Sequence, residues 1–350
     1  MNSVEVLAPG VIKLFGEHAV VYGKMSVAAA ISLYAKCRAE RVDLANENKA
    51  FEINLKDLNK HIDITNEEID KIYNEYINRK SIEEFVNAQR IDKEILPYVV
   101  IAGRIRKERN LSLSNIDISI TSDIPITKGL ASSAACSVAY TVALTKLLNV
   151  NMPDSQLIEL AREGDKIIHR SEGAGKIDIN TSYFGGYVSY NSERGARKED
   201  IDAKCKFILV DTGPKKKTSE TVGHVAELYN KDKDQISKVF DEIEQCSIKG
   251  LEMLEKKNIY EVGALMYKNH ELLNKLEVSS NGLNKTVELA KKYNQYGAKL
   301  SGGGGGGLAV VLAGNSSTDL IDALKKEGFN AFEADISKLG AKEYNYINNN

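Results

Sequence analysis

The chain has 350 residues, 43% of them hydrophobic and 27% charged, with a formal net charge of -2. That length exceeds one ordinary core and points to two domains, while the composition is that of a soluble globular protein. The near-neutral balance gives no ground for nucleic acid or an anionic membrane as the main partner. The four cysteines, Cys37, Cys136, Cys205 and Cys246, are far apart and without histidines at ligand spacing, which argues against structural zinc and a disulfide framework. The N-terminus M-N-S-V-E-V-L-A-P-G lacks a basic region followed by an apolar run, and no stretch approaches the roughly 18 apolar residues of a membrane span, so a cytoplasmic enzyme is expected.

In chain order, residues 3–7 and 11–15 read as two short strands separated by the turn signal Ala8-Pro9-Gly10. Lys13 lies among Val11, Ile12, Leu14 and Phe15, so it either snorkels from an edge strand or points into a polar cleft. Gly16-Glu17-His18 then interrupts the apolar pattern; His18 taken alone is either structural or catalytic. Residues 34–42 and 51–54 read as strands, and from 66 to 110 the pattern turns helical, with Thr65 or Asn66 as cap and Pro97 dividing a second helix from a third. The basic cluster Arg104, Arg106, Lys107 and Arg109 lacks interleaved aromatics and reads as a solvated helix face.

Residues 116–120 alternate as a half-buried strand, and 131–148 are rich in alanine and leucine without proline, the pattern of a helix. Between them runs P-I-T-K-G-L-A-S-S-A-A, from Pro125. Amides at a helix start lack intrahelical acceptors, and Gly129 lets a ligand approach the backbone. Ser132 and Ser133 there either hold a phosphate oxygen or magnesium, or merely cap the helix. Residues 154–169 form the next predicted helix, with Asp154 as N-cap after Pro153 and Gly173-Ala174-Gly175 at its end. Asp178 lies between two isoleucines; its carboxylate is either a general base or a structural cap of local amides.

The polar stretch 191–204 reads as a charged hinge and domain boundary. Beyond it come a strand at 206–211, a turn, and Lys215, Lys216, Lys217 and Thr218 opening a helix; three lysines suit an anionic ligand or a solvated face. Helices fill most of 218–293. Six glycines, Gly302 to Gly307, follow; they formally contain G-x-G-x-x-G, but a strand at 308–312 follows them where a dinucleotide-binding motif needs a helix. A glycine run between strands marks either a very close backbone or ligand approach, or a flexible hairpin tip. A helix at 315–326, a strand at 330–335 and a frayed tail at 348–350 close the chain. The P-loop pattern and the protein-kinase set H-R-D and D-F-G are absent.

Three separated segments remain: P-G-V-I-K-L-F-G-E-H-A-V-V-Y-G at 9–23, P-I-T-K-G-L-A-S-S-A-A at 125–135, and K-L-S-G-G-G-G-G-G at 299–307. In this order they resemble the three motifs of the galactokinase, homoserine kinase, mevalonate kinase and phosphomevalonate kinase (GHMP) superfamily, over nearly the whole chain. G-E-H-A-V-V-Y-G is similar to the mevalonate kinases, and the acidic sugar-binding segment of galactokinases is missing. The resemblance implies an α+β fold of two domains, 1–201 with the ATP-binding loop and 202–350, with the active cleft between them. It implies ATP and Mg2+ as cofactors, phosphorylation of the mevalonate 5-hydroxyl, and often a homodimer.

Carried over singly, Ser133 matches the magnesium-coordinating serine; Pro125, Lys128, Gly129, Leu130, Ala131, Ser132 and Ala134 match the rest of the ATP-binding loop, with Ala131 where many members have glycine. Asp178 matches the base, Glu17 and His18 the substrate side, and Lys216 and Thr218 the basic and hydroxyl pair near mevalonate. Ser301, Gly302, Gly303, Gly304 and Gly305 match the third motif. Two departures stand out. Val11 occupies the usual lysine position, and Lys13, two residues on and about 7 Å along the same strand face, takes that role. Asp165 replaces the magnesium glutamate, with Glu163 as the fallback. The rival readings are another GHMP small-molecule kinase, acting on a phosphomevalonate, another mevalonate hydroxyl or a sugar, and a silent metabolite sensor.

Overall fold

A computed structural model of the chain describes residues 2–42, 51–125, 129–314 and 317–341. Lys128, the tail at 348–350 and the first two residues of the helix expected at 315–326 lie outside them. Two long antiparallel strands, β1 (Ser3–Phe15) and β2 (Ser26–Arg41), organise the first sheet. The turn expected at Ala8-Pro9-Gly10 does not divide β1; the strand runs through, with a register shift between Pro9 and Gly10. Proline has no N–H for the ladder. Gly10, lacking a side chain, lets the Leu130 carbonyl close in, and Val11 N donates to Leu130 O at 2.9 Å.

The C-terminal half of β2 alternates buried Ala35, Cys37 and Ala39 with more exposed Lys36, Arg38 and Glu40, the period of a strand covered on one face. Its first half, Val27, Ala28, Ala29, Ala30 and Ile31, is wholly buried because it is packed from both faces. The seven-stranded sheet adds β3 (Phe51–Leu55), β4 (Lys60–Ile64), β5 (Ile116–Ser122), β6 (Tyr187–Asn191) and β7 (Gly195–Glu199), in the order β4-β3-β5-β2-β6-β7, with β1 also on β2. The stretch 191–204, expected as a charged hinge, therefore contains an edge strand. β7 pairs antiparallel with β6, and its charges fit an exposed edge.

Helices α1 (Asn66–Ile77), α2 (Ile82–Ala88), α3 (Leu96–Arg109), α4 (Ser132–Leu147), α5 (Asp154–His169) and α6 (Lys176–Phe184) belong to this half. α4 lies against β1, β2, α5 and α6, which is why it is apolar on nearly every side. Pro97 sits in the first turn of α3, where its missing N–H is harmless. Asp154 does not cap α5 as expected: Pro153 takes the N-cap position, and the Asp154 carboxylate accepts from Tyr183 Oη–H at 2.8 Å.

The second sheet is antiparallel throughout, in the order β11 (Asn330–Asp335), β8 (Lys206–Asp211), β10 (Leu308–Leu312), β9 (Gly297–Leu300). Helices α7 (Thr218–Lys231), α8 (Lys233–Glu255), α9 (Ile259–Lys275), α10 (Asn281–Lys292) and α11 (Ser317–Lys326) accompany it. After β11 the chain returns to the first sheet. Ile336 bridges Ile31, Ser337 N donates to Ala30 O at 2.9 Å, and Ala341 N donates to Ser182 O at 3.1 Å. The two halves thus share a packed seam, and the chemistry-bearing residues collect along it.

Candidate active site

Residues 129–131 and the first turn of α4 form the floor. Gly129 has φ 82 and Ala131 φ 57, both left-handed, and Ala131 is the N-cap of α4 without a side-chain cap. Ser132 and Ser133 therefore do not cap the helix, which disposes of the simpler reading of the two serines. Uncapped first-turn amides and the positive end of the helix dipole together suit an anion. Leu130 and Ala134 are buried, so their side chains serve the core and their contribution to the loop is through the backbone. Pro125 begins the P-I-T-K-G-L-A-S-S-A-A segment.

Ser133 Oγ donates to Asp165 Oδ1 at 2.8 Å, and His169 Nε2 lies 3.4 Å from the same carboxylate oxygen and 3.3 Å from Ser133 Oγ. Burial pushes the Asp165 carboxyl up, but hydrogen bonds from His169 and Ser133 outweigh it and hold the group below the usual carboxylate range. The same Asp165 bond raises the His169 imidazole. Glu163, the fallback for Asp165, is turned away. It is bound by Tyr76 Oη, by Arg104 Nη1 at 2.8 Å and by Lys166 Nζ at 3.4 Å, in a buried network between α1, α3 and α5. Two residues along a helix is about 200°, so Glu163 and Asp165 occupy opposite faces.

Asp178, in the first turn of α6, meets Lys13 of β1: Nζ lies 2.6 Å from Oδ1 and 2.7 Å from Oδ2. Their side chains are 19% and 22% exposed, so the pair is half enclosed with one side open. The Lys13 backbone is clamped by Ser301, whose Oγ accepts from Lys13 N at 3.0 Å and donates to Lys13 O at 3.2 Å. Val11, at the motif's lysine position, is fully buried.

Glu17 and His18 follow β1. Glu17 forms an ion pair with the wholly buried Lys299 of β9, so it underlies the cleft rather than lining it. His18 takes the disfavoured φ of 60, and its Nε2 lies 3.0 Å from Gly303 O. Burial pushes this imidazole down, toward the neutral form whose Nε2–H donates. The glycine run is a packed hairpin tip between β9 and β10. A Cβ at Gly304 would collide with Val278 O, one at Gly306 with Pro214 O, and one at Gly305 would lie 2.8 Å from Lys216 Cβ. The close-approach reading of the run is therefore met by the protein's own backbone. Lys216 N donates to Gly305 O at 3.1 Å, and a Cβ at Gly303 would sit 3.0 Å from Thr218 Cγ2, which places Lys216 and Thr218 beside the hairpin. Gly302, with φ 87, has no neighbour within 4 Å of where a Cβ would be.

The three motifs converge. From the position of a Cβ at Gly129, Lys215 Nζ is 3.7 Å away and Ser301 O 4.0 Å. His169 is not among the candidate residues read from the sequence; Lys215 stands there only as one of three lysines suited to an anion, and Lys299 only as the head of the third motif. The available signals were the four-residue spacing of His169 from Asp165, the lysine run for Lys215, and the lysine heading the third motif for Lys299.

The pattern described as the GHMP kinases N terminal domain matches residues 97–186, and that described as GHMP kinases C terminal matches 251–331. A protein of Pyrococcus abyssi named mevalonate kinase is 32% identical over 341 residues, 96% of each chain. The chain belongs to the GHMP kinases. A solved mevalonate kinase structure matches this GHMP kinase with TM-score 0.78 and 28% identity, over 95% of this chain and 99% of the other. The mevalonate kinase of Methanococcus jannaschii matches with TM-score 0.77 and 29% identity, over 95% and 98%.

The residues of this GHMP kinase fit the groups its family uses. The floor offers free helix amides and two cations, Lys13 and Lys215, as a triphosphate requires. Ser133 and Asp165 form an all-oxygen donor pair, and among the described residues no three His, Cys, Asp or Glu side chains converge as a metal site. That suits magnesium, which takes few protein ligands and keeps phosphate and water oxygens.

Proposed function

We propose that this enzyme is an ATP-dependent mevalonate kinase, forming 5-phosphomevalonate and ADP. The observation that carries the reading is the Lys13–Asp178 pair, 2.6–2.7 Å apart and partly exposed. Relatives of nearly the same length that bear the name mevalonate kinase support the choice of acceptor.

Phosphoryl transfer needs alignment and charge stabilisation more than covalent chemistry. The amides from Gly129 to Ala134 hold the phosphates of ATP. Lys13, oriented by Ser301, bears on the transferring group, and Asp178 accepts the proton of the acceptor hydroxyl as its oxygen bonds to phosphorus and the bond to the bridging oxygen of ADP breaks. Ser133 and Asp165 would hold a magnesium ion, which screens phosphate charge. Lys216 and Thr218 bind the acceptor beside the glycine hairpin, where Lys216 matches a carboxylate. Glu17 and His18 shape that side from beneath. The same proposal divides the chain into a nucleotide domain at 1–201 and a second domain at 202–350, and takes the enzyme as a cytoplasmic homodimer. No helix among the described residues is long and apolar enough to cross a membrane.

The test is ADP release with magnesium-ATP and, separately, mevalonate, phosphomevalonate and galactose. Turnover with mevalonate alone is expected; turnover only with another acceptor would reassign the specificity, and none with any would remove the activity.

A further inference from the structure

Lys215 was not assigned by the family motifs, yet its ammonium stands over the phosphate loop. Its stem lies along the last glycines of the hairpin: Cδ would be 3.0 Å from a Cβ at Gly307, and its Cα 3.3 Å from one at Gly306. The bare backbone of those glycines lets the side chain lie down toward α4. Its Nζ then comes 3.7 Å from where a side chain at Gly129 would begin.

Two other cations of the cleft already have carboxylate partners. Lys13 is bound to Asp178 and Lys299 to Glu17, whereas Lys215 has no ion-pair partner among the described residues. Partial desolvation and the neighbouring charge of Lys13 push its ammonium below the usual lysine value, with Asp178 pulling weakly the other way. A cation held there beside a second cation and a helix N-terminus lacks an anion.

We propose that Lys215 is a catalytic residue that contacts the phosphoryl group in transfer, on the loop side, while its neighbour Lys216 serves the acceptor. The division follows from backbone placement. Lys216 N is tied to Gly305 O at 3.1 Å and its stem crowds Gly305, whereas Lys215 crosses Gly306 and Gly307 to reach Gly129. The inference rests on the kinase reading above and adds a second positive charge on the moving phosphate. That charge is worth most as the transition state forms, since Lys13 is already partly neutralised by Asp178.

The experiment compares Lys215→Met, Lys215→Arg and Lys216→Met with the unaltered enzyme. Lys215→Met is expected to lower kcat by about 100-fold, the usual cost of losing one donor to a developing charge, with the KM for mevalonate within about threefold. Lys215→Arg should recover at least about a tenth of the activity. Lys216→Met should mainly raise the KM for mevalonate. In a second arm, calorimetry compares ADP with ADP plus beryllium fluoride, a mimic of the γ-phosphate, and needs no acceptor. Lys215→Met should weaken the fluoride complex about tenfold or more and ADP alone less than about twofold. Equal loss for both ligands, or a kcat within about threefold of the unaltered enzyme, overturns the proposal. Failure of the mevalonate reading would show instead in the unaltered enzyme, as activity on another acceptor, with the fluoride comparison unaffected.

Discussion

The buried pair of Lys299 and Glu17 is open to a direct test. Their side chains are 0% and 2% exposed, the Lys299 ammonium also donates to Leu300 O at 2.5 Å, and Glu17 Oε2 has no protein hydrogen-bond partner among the described residues. Lys299→Met keeps most of the volume and removes the charge, leaving the Glu17 carboxylate buried without its counter-ion. Breaking such a pair from one side costs about 3–5 kcal/mol, whereas replacing both partners with apolar groups is often near neutral. Urea titration with linear extrapolation should therefore show a loss of about 3–5 kcal/mol for Lys299→Met, most of it recovered in Glu17→Leu/Lys299→Met. The double variant should nonetheless have impaired turnover, because the turn carrying His18 loses its tie to β9 beneath the cleft. A loss below about 1 kcal/mol in the single variant, or a double variant no more stable than the single, would refute the pair as the link between the first and third motifs.

Asp178→Asn is expected to fold, since Lys13 retains an oxygen acceptor, and to lose most turnover in the ADP assay; wild-type turnover would take Asp178 out of the proton transfer. Ser133→Ala should raise the magnesium concentration needed for half-maximal rate, and an unchanged magnesium titration would count against that ligand. Gly304→Ala should destabilise by about 3 kcal/mol or more in thermal unfolding, through collision with Val278 O, while Gly302→Ala, strained only by its φ of 87, should cost about 1 kcal/mol. The pH dependence of folding should carry a mark of His270, whose imidazole burial pushes down to about 4. Its Nδ1 accepts from Leu300 N at 3.3 Å and its Nε2 meets Asn284 Oδ1 at 2.9 Å, so the neutral ring fits its partners. The unfolded chain binds this proton near pH 6.5 and the folded chain resists it, so stability holds above 6.5 and falls as the pH drops toward 4, by about 3 kcal/mol in all. His270→Asn should flatten that part of the stability curve, and an unchanged slope would remove His270 as its source.

Much of this molecule was legible because its signals are local. The alternation at β5, the alanine-rich α4, the glycine run and the closing strand at 330–335 each follow from short-range pattern. Errors arose where tertiary packing overrode punctuation: Pro9-Gly10 reads as a turn, but pairing with β2 and the bond to Leu130 carry the strand through. The charged stretch 191–204 reads as a hinge, but an edge strand tolerates such charge. At the site, residues within motifs could be picked out one by one. The individual roles of Lys299 and Lys215, visible in the sequence only as a motif's first residue and one of three lysines, could not be read, since a lysine's partner, or its lack of one, is set by contacts far along the chain: Glu17 lies 282 residues from Lys299. Their surroundings appear only in the fold, where Glu17 after β1 meets Lys299 of β9 and the Lys215 side chain lies along Gly306 and Gly307 toward Gly129.

The most direct test of the central claim is NMR on the product formed from mevalonate and magnesium-ATP. Phosphorus coupled to the protons of carbon 5, with one ADP released per phosphate transferred, is the expected result. Phosphate on another oxygen, or ATP consumed without a phosphorylated acceptor, would contradict the placement of the mevalonate 5-hydroxyl against Asp178.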